Sequence, residues 1–209
     1  MKHISNFFSY LIHPLLIPSY GVMVLIISAP QRFQMYNIRT IKLSMMIIFM
    51  MTCFFPSIIY LMMHKLNIIG DMDIKDKRQR LLPYLVALFF YLTCFLTLKP
   101  RAHSIYLQDE LIAAFLLGGT ISLAISFFIN NFIKISLHSN GVGGFFMICI
   151  LISMYSIKPV YFFVLLSILM MGIIGFSRVI LEAHSPKEVY LGLASGIIGQ
   201  YIAYLTYLK

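Results

Sequence analysis

Tryptophan is absent from the 209 residues, and charge is scarce: Asp, Glu, Lys and Arg together make up 11% of the chain. The missing tryptophan leaves the 13 tyrosines as the residues suited to the membrane–water interface. Set against 60% hydrophobic residues and a mean hydropathy of +0.90, the scarcity of charge excludes a soluble globular domain. A chain of this size has too little interior to hide so much apolar surface, so an integral membrane protein is expected. Cysteine is also sparse. Cys53, Cys94 and Cys149 all lie inside apolar runs, with neither metal-ligand spacing nor a paired framework. The net charge of +9 is spread along the chain and not gathered in an arm, which argues against nucleic acid as a partner. Basic residues in short membrane loops instead serve topology, anionic head groups or an anionic substrate. The start Met1-Lys2-His3 is weakly basic, and no small-x-small cleavage pattern follows it, so no cleavable signal peptide is expected.

Seven apolar runs approach the ~20 residues that a spanning helix needs. They cover 7–28, 43–64, 81–98, 110–129, 141–157, 160–176 and 189–208. The first carries His13, Pro14 and Pro18 and reads as kinked or partly re-entrant, which makes six the alternative count. Lys158-Pro159 predicts a tight turn that turns the fifth and sixth runs into a hairpin. No repeat, low-complexity stretch or linker is visible. Residues 1–209 therefore read as one integral membrane domain of the all-α class, a polytopic transmembrane helical bundle. Gly192 with Gly196, Gly118-Gly119 and Gly141-Val142-Gly143-Gly144 are the small residues through which its helices are expected to pack.

Assigning the connections to alternate sides sends the N-terminus, 65–80, 130–140 and 177–188 to one face. The run from Lys75 to Arg80, His138, and the segment from Arg178 to Glu188 then converge on one membrane edge. Ionisable side chains are costly there, which makes such a cluster an expected functional site. Lysines and arginines divide nine to seven between the two sides, so their balance sets no orientation. Asn140 and Tyr36 read as accessible positions on opposite faces.

The densest segment runs from Ser177 to Gly192 and holds Arg178, Glu182, His184, Lys187 and Glu188 between two apolar runs. His184 and Glu188 are four apart and share a helix face if the last helix starts near His184. A carboxylate bonded to one imidazole nitrogen fixes the tautomer and leaves the other nitrogen as a nucleophile or base. Arg178 offers a rigid fork matched to phosphate. Pro186 suits a helix start, and helix N-termini favour anions. The plain alternative is a topology-setting loop with a solvated histidine. Residues 134–141 add Ser136 and His138. Phosphoryl transfer to one histidine needs a separate proton donor for the leaving group, a role open to His138, with helix capping as the alternative for this segment. Residues 73–83 add Lys75 and Arg80, whose charge can neutralise a phosphoryl group in transfer, or simply be solvated. Asp71, Asp73 and Asp76 lack a matching acidic cluster on the same side, so no metal site is expected.

These three segments resemble the type-2 phosphatidic acid phosphatase superfamily, membrane lipid-phosphate phosphatases that share a fold with vanadium haloperoxidases. That family carries Lys-x6-Arg-Pro, Pro-Ser-Gly-His and Ser-Arg-x5-His-x3-Asp in this order. Ser177, Arg178 and His184 match the third motif, with Glu188 where Asp is usual, and Val189 and Gly192 agree with its extension. Ser136 and His138 match the second, with Leu137 in the glycine position and Ile135 in the proline position. Lys75 and Pro83 match the first, with Leu82 in the arginine position and Arg80 or Arg78 nearby. The resemblance covers about residues 75–208, which it implies to be a phosphatase-like core. It implies a helical bundle around a membrane-edge site without metal or other cofactor. His184 would be the nucleophile, Glu188 would orient it, and His138 would be the general acid. Lys75, Arg80, Ser136 and Arg178 would hold the phosphoryl oxygens.

The expected function is hydrolysis of a phosphorylated membrane lipid through a phosphohistidine. A polyprenyl pyrophosphate, phosphatidate, phosphatidylglycerophosphate or lipid A phosphate would be the substrate. The resemblance further implies a bacterial inner membrane with the site facing outward. A non-catalytic lipid-phosphate-binding or transport protein is the alternative that the departures at Leu82, Leu137 and Glu188 favour. Transfer of the phosphoryl group to another lipid or glycan is a further one.

Overall fold

The structure, a computed structural model, describes residues 1–70, 80–100, 105–155 and 160–207. Among the described residues the regular elements are all helical. They are α1 (Lys2–Leu11), α2 (Ile17–Ser28), α3 (Pro30–Phe33), α4 (Ile38–Phe49), α5 (Phe55–Lys65), α6 (Leu81–Leu98), α7 (Glu110–Phe132), α8 (Leu137–Tyr155), α9 (Tyr161–Ile180) and α10 (Pro186–Tyr207). Among the described residues, six stretches are long and apolar enough to cross a membrane: Ile38–Lys65, Leu81–Leu98, Glu110–Phe132, Leu137–Met154, Tyr161–Ile180 and Pro186–Tyr207. The chain is thus an all-α bundle with six candidate spans. The expected turn at Lys158-Pro159 lies outside the described residues.

The first apolar run is not one helix. α1 stops at Leu11, and α2 starts at Ile17 with Pro18 in its first turn. Pro14 has no N–H to return to Tyr10, and its ring crowds that carbonyl, so the helix ends before it. α1 packs on α9 with Ser5 and Ser9 buried, and exposes Ile4, Phe7, Tyr10 and Leu11. A second proline is handled differently. The five residues Met50–Phe54 wind as a wide π turn just before Pro56, so α4 and α5 run on as one span. The wider turn accommodates the hydrogen bond that Pro56 cannot make.

α7 and α8 form the centre of the bundle: 56% of each spanning window is buried, against 17% for Ile38–Lys65. α10 packs against both. Gly192 and Gly196 permit this. A β-carbon at Gly192 would collide with the Ser136 carbonyl oxygen, and one at Gly196 with the Asn140 carbonyl oxygen. α8 begins at Leu137, four residues before its apolar run, because Ser136 Oγ accepts the Ser139 N–H at 3.3 Å in N-cap fashion. Asn140 is therefore not an accessible loop residue but lies buried in the seam, 4% exposed. Its Nδ2 donates to Ser122 O (3.2 Å), Ser126 Oγ (2.9 Å) and Ser195 Oγ (2.9 Å), and its Oδ1 accepts from Ser122 Oγ (3.2 Å). One amide thus ties α7, α8 and α10 together where water cannot substitute. Tyr36, the other position expected to be accessible, is half-buried and donates its hydroxyl to Gln108 O at 2.8 Å.

Replacing Asn140 with Ala removes the bonds that join the three helices and is expected to cost about 1–3 kcal/mol of stability. Gly196→Val, which drives a branched side chain into the Asn140 backbone, is expected to be worse. Thermal melts in detergent check both. Thr206→Ala serves as the control, because it removes an exposed hydroxyl bonded only within α10 and should leave the melt within about two degrees of wild type.

Candidate functional site

The site forms where α8, α9 and α10 meet at one end of the bundle. α9 ends in two backbone bonds that reverse the chain. Glu182 N–H donates to Val179 O (2.9 Å) and Ala183 N–H to Arg178 O (3.1 Å), with Glu182 in the left-handed region at φ 55°. This is a Schellman ending with glutamate where glycine is usual. His184 N–H also donates to Arg178 O (3.2 Å), which folds the nucleophile candidate back over the last turn of α9. Lys134 Nζ donates to Ala183 O at 2.7 Å and ties the same loop to the segment before α8.

α10 then starts on Ser185-Pro186-Lys187-Glu188, a capping-box pattern. Ser185 Oγ accepts the Glu188 N–H at 3.4 Å. The Glu188 carboxylate does not close the box; Oε2 lies 2.7 Å from His184 Nδ1. A carboxylate accepts, so Nδ1 carries the hydrogen and Nε2 keeps its lone pair. Burial is the main cause that lowers the His184 pKa from 6.5 to about 2, and the charges of Arg80, Lys134, Arg178 and His138 act in the same direction. The Glu188 carboxylate pulls the other way at 2.7 Å. Burial and three fixed cations outweigh it, and the imidazole is neutral at pH 7. His184 lies in the loop just before α10, and Glu188 in the first turn of that helix reaches back to it.

The other expected residues gather around this pair, with one exception. Arg178 is buried in the last turn of α9, and its charge acts on both His184 and His13. Arg80, at the start of α6, donates from Nη1 to Ile135 O at 3.3 Å. Ser136 is fully buried, and its N–H donates to Glu188 O at 3.3 Å. Its Oγ accepts from Ser139 N (3.3 Å) and Ser139 Oγ (2.9 Å). His138 stands in the first turn of α8 with Nε2 3.1 Å from Ser9 O. Lys75 lies outside the described residues, as do Arg78, Asp71, Asp73 and Asp76. Among the described residues, no group of three or more His, Cys, Asp or Glu side chains is arranged to hold a metal ion.

Two participants carry no clear signal in the sequence. Lys134 holds the His184 loop through a backbone carbonyl, which no side-chain motif announces. His13 stacks edge-to-face on His138, with ring centroids 5.2 Å apart at 84°. Beside Pro14 it reads as part of a helix break. Only the placement of the N-terminus on the same face as His138 hints at more. A mostly apolar cavity is lined by Pro14, Tyr91, Phe115, Leu137 and Asn140 among others, but not by His13, His138, His184, Arg178 or Ser136. Comparison of the chain with models of known families, with curated proteins and with solved structures finds no match.

Burial, aided by Arg178, also lowers the pKa of His13 from 6.5 to about 4. Both folded-state values, about 4 and about 2, lie below the unfolded 6.5. The stability these histidines contribute is therefore complete above pH 6.5 and is lost as pH falls below it, because only the unfolded chain takes up the proton. The melting temperature in detergent is expected to drop by several degrees between pH 7.5 and about 5, and to drop less in His13→Phe. A wild-type melt unchanged across that window contradicts the assignment of neutral, buried rings.

Proposed function

We propose that the protein is a membrane lipid phosphatase of the type-2 phosphatidic acid phosphatase kind, working through a phosphohistidine on His184. The observation that carries this reading is the 2.7 Å contact between His184 Nδ1 and Glu188, set among Arg178, Arg80 and Ser136. A buried neutral imidazole with its lone pair on Nε2, surrounded by cations, is suited to attack phosphorus and to stabilise the charge that develops on the phosphoryl oxygens.

In the first step, His184 Nε2 forms a bond to phosphorus as the bond from phosphorus to the lipid oxygen breaks. The negative charge of the bound phosphoryl group favours a second proton on His138, which passes from Nδ1 to that departing oxygen. The Glu188 carboxylate stabilises the positive charge that forms on the His184 ring. In the second step, water attacks phosphorus, its proton passes to His138 Nδ1, and the bond from phosphorus to nitrogen breaks. Inorganic phosphate leaves, and both histidines return to their starting states. The substrate class is a lipid phosphomonoester or pyrophosphate. Its tail runs along the exposed apolar surfaces of the helices. A bacterial inner membrane with the site facing outward is part of the same proposal.

Phosphate release from a panel of such lipids, measured in EDTA, is the test. Wild type is expected to be active, and His184→Ala to lose roughly 10³-fold or more. Glu188→Ala is expected to lose roughly 10²-fold or more, while Glu188→Asp retains or improves the wild-type rate. Full activity in His184→Ala removes the nucleophile assignment. Phosphate binding without turnover in wild type favours the non-catalytic reading.

A further inference from the structure

The segment between α1 and α2 is braced from several directions at a point where the fold alone needs only a break. Tyr91 Oη, from α6, donates to Pro14 O at 3.1 Å. Thr52 Oγ1, from the π turn, reaches Leu15 O at 3.4 Å. Gly141 of α8 lies against the Pro14 backbone, so that an added β-carbon would sit 3.4 Å from Pro14 Cα. Within the segment, Leu15 N–H donates to His13 Nδ1 at 3.3 Å, and Leu16 N–H to His13 O at 2.9 Å. The first of these bonds makes Nδ1 an acceptor, so neutral His13 carries its hydrogen on Nε2. A rigid turn thus presents one histidine ring, in one tautomer and one orientation.

That ring meets His138 edge-to-face at 5.2 Å. His138 is held from the same N-terminal segment a second time. A carbonyl oxygen only accepts, so the 3.1 Å contact between His138 Nε2 and Ser9 O keeps a hydrogen on Nε2. Nδ1 is then the nitrogen of His138 through which a proton can be exchanged. Two contacts from residues 9–13, one polar and one aromatic, determine which nitrogen of His138 works and where it points.

We propose that His13 is a positioning residue for His138, and that the N-terminal segment is the fourth part of the catalytic site. This rests on the reading of His138 as the general acid. Ser9 O holds the ring through Nε2, His13 blocks its rotation, and Nδ1 faces the oxygen of the departing lipid. Neither residue belongs to the 75–208 segment in which the three motifs lie.

The distinguishing measurement is the dependence on leaving group. A lipid alkoxide needs a proton as it departs, whereas 4-nitrophenolate leaves without one. With a lipid phosphomonoester, His13→Ala is expected to lower kcat roughly 10–100-fold and to change KM by less than about threefold. With 4-nitrophenyl phosphate the loss is expected to be several times smaller. His138→Ala should show the same pattern more strongly. In the His138→Ala background, His13→Ala should add no further loss on the lipid substrate, because its effect runs through His138. His13→Phe, which keeps a ring against His138, should recover most of the rate. If His13→Ala does not accumulate as folded protein, His13→Leu, which fills the space without an aromatic edge, is measured in its place. Equal losses on both substrates, an effect confined to KM, or full additivity with His138→Ala overturns the proposal. In each of those cases an inactive His184→Ala leaves the phosphohistidine reading standing. A His184→Ala variant active on both substrates overturns that reading and this one together.

Discussion

The close approach of α8 and α10 is the constraint on which the rest of the site depends. The two helices start side by side, and the Ser136 N–H reaches Glu188 O at 3.3 Å. His138 and His184 stand beside these starts, so the backbone, more than flexible side chains, sets the separation between the two rings. Gly192 and Gly196 make the approach possible, since a β-carbon at either would meet a backbone oxygen of the facing segment. The Asn140 amide then fixes the register by binding hydroxyls of α7 and α10 at once. A shift of α10 along α8 would break these bonds and pull Glu188 and His138 apart together.

The electrostatic character follows from that geometry. Arg80, Lys134 and Arg178 come from three segments, and the charge of each acts on His184. Arg178 is buried, and its charge acts on three histidines, His13, His138 and His184. Neutral His184 keeps the lone pair on Nε2 amid this cationic surround. The Lys2–Glu182 pair on the outside adds little, since both side chains are more than half exposed.

Much of this is legible in the sequence. Alternating the connections between two sides places 65–80, 130–140 and 177–188 together. The contacts of Arg80 with Ile135, Lys134 with Ala183, and Ser136 with Glu188 join those same segments. The His184–Glu188 pair follows from four-residue spacing at a helix start marked by proline. What the sequence hides, it hides for physical reasons. Hydropathy cannot see an N-cap, so α8 starts earlier than its apolar run, and Asn140 turns from a loop residue into a buried tie. The Schellman ending of α9 carries glutamate and not glycine, so no sequence sign marks the turn that folds His184 back. His13 is hidden because a histidine beside a proline reads as a break, and its meaning comes only from long-range contact with His138, over a hundred positions away.

The central claim is that His184 Nε2 forms a covalent bond to the phosphoryl group. Its most direct test is rapid acid-free quenching of the protein during turnover of a 32P-labelled lipid phosphate, followed by peptide mapping and 31P NMR of the trapped species. The expected result is a base-stable, acid-labile phosphoryl group on His184, attached at Nε2 and absent from His184→Ala. A phosphoryl group on His138 or on a serine, or active turnover with no phosphorylated protein at any time point, would contradict it.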